Sequence, residues 1–234
     1  TQQPDKNGEN EYRYTARDVG VKWGGAKLFG GGKLSGKVQE MPLRSMAMSF
    51  SQNNGPTIQT TWDTFMLLGR EKPDGVDSTA SFDYLGEHGP GIGLDLTYDK
   101  INMLGEHKAY MLAYDTGEDE IGGRDDVEQN GEVRGFYRGQ HRSFLDDNWE
   151  LSLEFGYSSD ETFLEEMFRE EVENEKPYET SLYLKKQQDQ TLMSFYANYE
   201  LNEFTINSQQ LQYQGYTVEK LPELGFHSIG ESLF

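Results

Sequence analysis

The first residues to weigh for chemistry are two adjacent carboxylate pairs, Glu165-Glu166 and Glu170-Glu171. A glycosidase-type mechanism needs two carboxylates facing each other across a cleft. Neighbours in sequence do not supply that arrangement. Four histidines, His88, His107, His141 and His227, fall in turns and strand ends without metal-ligand spacing, and are expected to be surface residues. There is no G-x-S-x-G, P-loop or H-E-x-x-H motif. Cysteine is absent, which excludes a disulfide framework, a thiolate metal site and a cysteine nucleophile, and leaves the redox compartment open. The chain is therefore read as a non-enzyme with no catalytic residue, no metal and no cofactor.

Two charge patterns remain. Glu118, Asp119, Glu120, Asp125 and Asp126 crowd the acidic stretch 117–131. Carboxylate oxygens of this kind suit Ca²⁺, but EF-hand spacing is missing, and a solvated acidic loop is the favoured reading. Arg134, Arg138 and Arg142 share one parity. They could contact phosphate or carboxylate, and salt bridges to Glu150 and Glu154 on a neighbouring strand are preferred.

These charges sit on β-strands. In NWELSLEFGYSSD, residues 148–160, Trp149, Leu151, Leu153, Phe155 and Tyr157 alternate with Glu150, Ser152, Glu154 and Gly156. Such period-two alternation marks a strand with one apolar and one polar face. Similar patterns recur: Met46, Met48 and Phe50; Ile58, Thr60 and Trp62; Leu94, Leu96 and Tyr98 opposite Asp95; Met193, Phe195, Ala197, Tyr199 and Leu201. Tyr110, Leu112 and Tyr114 share one parity, with Ala109, Met111 and Ala113 on the other. Phe163, Leu164, Met167 and Phe168 have helical spacing, so 161–177 is a loop or a short helix, and 203–214 reads as a polar last strand. The count is roughly ten strands of about 9–12 residues, close to what a tilted membrane-crossing strand needs. Strands of soluble proteins usually run about 5–6 residues.

The 234 residues carry a net charge of −20 and no basic cluster, so nucleic acid is not an expected partner. Mean hydropathy is −0.80. The longest strictly apolar run is Phe65 to Leu68, too short for a transmembrane helix. A barrel needs only alternate residues to be apolar, so these values leave it open. Trp149 and Tyr157 bracket an aliphatic pair as an aromatic girdle does. Connections 117–131 and 159–177 are long while 143–147 and 187–190 are short, as barrel loops alternate; 52–55 and 68–77 break that rule. The expected division is a disordered polar lead over 1–11, a small β-domain with a glycine-rich linker over 12–40, and barrel strands over 41–234. The fold class is thus all-β, an antiparallel transmembrane barrel segment, and the chain is expected to be part of a longer protein. A soluble β-sandwich binding module and a small porin or enzyme barrel are the alternatives.

Several segments resemble the LPS-assembly protein family LptD (OstA, organic solvent tolerance protein). They are GYSSDETFLEEMF (156–168), GPGIGLDLTY (89–98), RGQHRSFLDDNW (138–149) and KLPELGFHSIGESL (220–233), with YTARDVGVKWGGAKLF similar to the end of the family's periplasmic jelly roll. The order of segments carries the likeness, with no single decisive motif. The resemblance implies lipopolysaccharide transport and insertion into the outer leaflet of the bacterial cell outer membrane, with the N-terminal part periplasmic. The implied partners are lipopolysaccharide, the lipid bilayer, an LptE-like plug lipoprotein and periplasmic bridge proteins. Pro42, Leu43, Met46, Met48 and Phe50 would form the first barrel strand beside a lateral seam, where Pro42 removes a backbone donor. Asp95, Arg134, Arg138, Glu150 and Glu154 would face the lumen. Trp149, Leu151, Leu153, Phe155 and Tyr157 would face lipid. The family's interdomain cysteines have no counterpart here.

Overall fold

A computed structural model describes residues 41–51, 54–120, 127–168, 179–202 and 219–228, with 220–221 as backbone only, and the backbone of five strands before residue 40. Those five are β1 (Gln2–Pro4), β2 (Asn10–Arg17), β3 (Gly20–Trp23), β4 (Ala26–Gly30) and β5 (Lys33–Lys37). They form a three-stranded sheet of order β1-β2-β5 and a β3–β4 pair. Strand therefore appears inside both the expected polar lead and the expected linker. Five-residue β5 is too short for periodicity to announce it, and its ladder partner, Arg13–Arg17, lies well upstream.

The remainder is one ten-stranded antiparallel sheet. Its strands are β6 (Leu43–Ser51), β7 (Gly55–Asp63), β8 (Val76–Leu85), β9 (Gly89–Lys100), β10 (Met103–Asp115), β13 (Glu132–Leu145), β14 (Trp149–Ser158), β15 (Thr180–Gln188), β16 (Thr191–Tyr199) and β17 (Lys220–Ser228). They pair as a meander in chain order, interrupted by a two-residue ribbon, β11 (Glu118–Asp119) with β12 (Val127–Glu128). Ten strands of 9–14 residues match the expected number and length. Among the described residues β6 pairs with β7 alone and β17 with β16 alone, so these two strands are the sheet's margins. The region 203–214, expected as the last strand, lies outside the described residues.

Directly opposed residues share a face. One row runs Val76, Tyr98, Gly105, His141, Leu153, Leu182, Ala197. A row on the other face runs Thr79, Asp95, Lys108, Arg138, Gly156. The register thus gathers the apolar parity of nearly every strand on one side, from Met46, Met48 and Phe50 at one margin to Leu224 and Phe226 at the other. That side is open: Leu153, Phe155 and Tyr157 are 37 %, 41 % and 46 % exposed, whereas Glu150 on the opposite face is 9 % exposed.

β10 is the exception. Tyr110 and Leu112 occupy the polar face and are buried there with Phe136 and Leu85. Helix α2 (Phe163–Met167), which follows α1 (Thr64–Leu67) in the chain, covers them with Phe163, Leu164 and the partly buried Met167 and Phe168. Phe168 meets Tyr110 edge-on at 5.2 Å and Phe136 at 4.9 Å. Gly91 makes room for this layer, since a Cβ there would lie 2.1 Å from the Tyr110 hydroxyl. Tyr114, expected to join its parity mates, is exposed because the register shifts after Leu112.

Connections 116–131, 159–179 and 200–219 leave one end of the sheet, together with the tight turns 52–54 and 86–88. The other end has the short connections 101–102, 146–148 and 189–190, and the longer 64–75. The last is long because it contains α1, whose first turn is capped by Asp63 accepting from the Met66 amide at 3.0 Å. The same aspartate belongs to a clamp across the first three strands. Arg44, extruded by a register shift in β6, reaches Asp63 at 2.6 Å and Asp77 at 2.7 Å, and Lys72 joins Asp77 at 2.6 Å. Pro42, despite its missing donor, accepts from the Asp63 amide at 2.6 Å. Arg44→Ala is expected to accelerate amide exchange along Leu43–Ser51 while changing global stability by no more than about 1 kcal/mol, as hydrogen exchange and urea unfolding together would read.

Candidate functional site

The polar face carries the charges. The five residues expected to face a lumen, Asp95, Arg134, Arg138, Glu150 and Glu154, all lie on it by register. Glu150 receives Arg142 Nε at 2.6 Å and Lys185 Nζ at 2.7 Å, each from an adjoining strand. Arg142–Glu150 is the pairing that parity suggested. Arg138 reaches Glu106 on β10 at 3.1 Å. A groove of about 490 Å³ runs over this face between Asp99, Glu106, Gln140, Arg142, Ser152 and Glu154.

Arg134 departs from the expected pairing with Glu150 or Glu154. It is 2 % exposed and turns towards the long-loop end, where it collects three aspartates. Its Nη1 donates to Asp115 at 2.6 Å and Asp119 at 2.9 Å. Its Nη2 donates to Asp119 at 2.7 Å and Asp160 at 2.8 Å, and Nε donates to Asp160 at 3.0 Å. Thr162 completes the set, accepting from Arg134 at 3.0 Å and donating to Asp119 at 2.6 Å. The ion pairs join β10, the β11 ribbon and the segment after β14 through one planar fork, a geometry that a lysine does not offer.

Asp160 also starts α2. Its carboxylate accepts from the amides of Thr162 at 3.1 Å and Phe163 at 2.8 Å. Burial works against its charge, but the Arg134 guanidinium, the Ser159 hydroxyl and the Phe163 amide outweigh it and hold the carboxyl down to about 2.

Histidine placement corrects the surface expectation. His88, in the β8–β9 turn, is fully buried, with Nδ1 2.8 Å from Asp115 Oδ1. Gly117 leaves it space, since a Cβ there would sit 2.4 Å from Nδ1. Burial alone would lower the His88 pKa; the hydrogen bond to Asp115 and the charges of Asp115, Asp119 and Glu166 raise it above the ordinary value. His107 and His141 lie on the apolar face in a chain of rings. Tyr137 Oη is 2.7 Å from His107 Nδ1, His107 Nε2 is 3.3 Å from Tyr98 Oη, and Tyr98 Oη is 2.5 Å from His141 Nδ1. One assignment satisfies all three contacts with both imidazoles neutral: Tyr137 donates to His107, His107 to Tyr98, and Tyr98 to His141. These polar atoms are turned into one another on a mainly apolar surface. His227 is exposed, as expected.

The acidic loop is solvated only in part. Glu118 and Glu120 are exposed, but Asp119 is fully buried, and Asp125 and Asp126 lie outside the described residues. His88, Asp115 and Asp119 approach within 4.8 Å of one another, close enough to share an ion. Their oxygens are already taken up by Arg134, Thr162, Gln129 and the Gly117 amide. The guanidinium stands where a cation would.

The carboxylates Glu165 and Glu166 sit together on one short helix, so they present no cleft of the kind glycoside hydrolysis needs. Sequence reading missed His88, Asp115, Asp160 and Thr162. Asp160 had a signal: an aspartate three residues ahead of Phe163-Leu164 is where a helix start takes a side-chain cap. No protein-family model and no curated protein matches the chain.

Arg134→Leu strands three carboxylates and is expected to cost about 3–5 kcal/mol in urea unfolding. Arg138→Leu, on a pair partly open to solvent, should cost about 1 kcal/mol or less. Asp160 has a folded value below its ordinary one, so its contribution is complete above about pH 4 and disappears as pH falls through about 2. Asp160→Asn should flatten that part of the acid-denaturation profile.

Proposed function

We propose that the ten-stranded sheet is a wall of a transmembrane β-barrel in a bacterial outer membrane, and that the protein works in lipopolysaccharide transport and insertion into the outer leaflet. One observation carries the membrane reading. The apolar side of the sheet is the open side, while the acidic and cationic side chains pair across the other. A soluble sandwich puts its apolar parity against a second sheet. Here no second sheet covers Leu151, Leu153 and Phe155 among the described residues. Strand lengths of 9–14 residues, and long connections gathered mostly at one end, support the same reading.

The lipopolysaccharide part rests on the order of segments that resembles the LptD family. An amphiphile that enters a leaflet needs a wet, charged surface for its sugars, a greasy exit and a strand seam, and no catalyst. The polar face with Asp95, Arg138, Glu150 and Glu154 supplies the first. β6, a margin of the sheet with Met46, Met48 and Phe50 exposed, suits the seam. An LptE-like plug and periplasmic bridge proteins are the partners this reading brings with it.

Leu153→Arg separates the membrane reading from a soluble one. A guanidinium facing hydrocarbon near mid-depth should cost about 2–4 kcal/mol in detergent or bilayer unfolding. At an ordinary water-exposed site the change stays within about 0.5 kcal/mol, and recovery of wild type from buffer without detergent would agree with that result against the barrel. For the cargo, a photo-crosslinker at Met48 should capture lipopolysaccharide in mixed vesicles. Capture of phospholipid alone would remove the transport assignment and leave the barrel.

A further inference from the structure

The β8–β9 turn touches the arginine cluster through His88. His88 is fully buried, donates from Nδ1 to Asp115 at 2.8 Å, and leaves Nε2 buried without a hydrogen-bond partner. Protonation adds a second N–H at that unpartnered nitrogen, so the charged ring is sustained by Asp115 and the surrounding carboxylates alone. Each element packed around it brings charge: Asp115 from the end of β10, Asp119 from β11, Arg134 from β13 behind those aspartates, and Glu166 from α2. Asp160, on the far side of Arg134, completes the set. With His88 protonated, two cations face Asp115, Asp119, Asp160 and Glu166; with it neutral, Arg134 faces the four, and the charges of Asp115 and Asp119 are fully buried.

We propose that His88 is the pin of a proton-dependent latch, which in its charged form holds the β11–β12 ribbon and α2 down over the polar face at the long-loop end and in its neutral form lets them lift. The direction follows from the carboxylates, which raise the His88 pKa above that of a free imidazole. A raised folded value means that the stabilisation is complete below the ordinary imidazole value, about 6.5, and is lost as pH climbs through the folded one. The latch is closed below the ordinary imidazole value and loosens as pH climbs through the raised one. α2 reaches His88 through the charge of Glu166, while it roofs Tyr110, Leu112 and Phe136 and is tied to the sheet by Asp160 and Arg134. The inference holds whether the opposite face meets lipid or water.

The test uses the full chain in whichever medium keeps it folded, detergent micelles or buffer. Imidazole NMR titration, with the His88 signal assigned from its loss in His88→Gln, should place the wild-type midpoint above about 6.5. Amide exchange of 116–119 and 163–168, corrected for the intrinsic rate at each pH, should rise about tenfold between pH about 6 and about 9. His88→Gln keeps a donor for Asp115 without a titratable charge, so its corrected exchange should not change with pH. A wild-type midpoint at or below about 6.5 overturns the proposal, and so does a raised midpoint with pH-invariant exchange. If His88→Gln does not fold, Asp115→Asn assigns the signal by its displacement, and the wild-type titration and exchange still decide.

Discussion

A strand repeats every two residues, and a partner in register must repeat with it. Ten strands joined by short antiparallel ladders therefore make one collective choice of side, and a slip of one residue anywhere would turn a whole strand over. In this protein the choice puts Leu153, Phe155 and Tyr157 on the open side and Glu150 among Arg142 and Lys185. The usual arrangement of a water-soluble sheet is inverted. Every other feature answers to that inversion: ion pairs cross-brace the polar face, and the few polar rings on the apolar face satisfy one another.

The inversion raises a difficulty at the end where the long connections leave. Their backbone must be anchored, and the surface beneath is a rack of charges that offers little hydrophobic purchase. Two devices solve it together. α2 brings its own apolar patch, Phe163 and Leu164, to the one place where the polar face carries Tyr110, Leu112 and Phe136. Arg134 then ties the flanking aspartates so that their burial is compensated. Neither device suffices alone: five residues of helix do not hold themselves in water, and a guanidinium without its acids is an uncompensated buried charge.

Much of the sheet was legible in the chain. Alternation in Trp149–Tyr157 and Met193–Tyr199 gave both the strands and the grouping of their apolar side chains, because period two is a strictly local signal. The short helix was half legible: Phe163, Leu164, Met167 and Phe168 have helical spacing, but the same stretch also reads as a loop. The cluster was not, since His88 and Asp115 lie 27 residues apart and Arg134 and Asp160 lie 26 apart. Register alone brings them together, and single-strand patterns carry no register. Histidine misled for the same reason: a position in a turn reads as surface, yet the His88 ring is fully buried against Asp115 and Gly117. β10 looked like its neighbours until α2 was in place to explain why Tyr110 and Leu112 face the charged side.

Among the described residues, β6 and β17 each end the ladder with a row of peptide groups that have no strand beyond them. In hydrocarbon such a row is a severe penalty, and in water it is a template on which any extended chain can crystallise. Neither solvent is indifferent to these margins. A further strand can extend the ladder only along the eighteen residues of β6 and β17 (nine each), and not on either broad face.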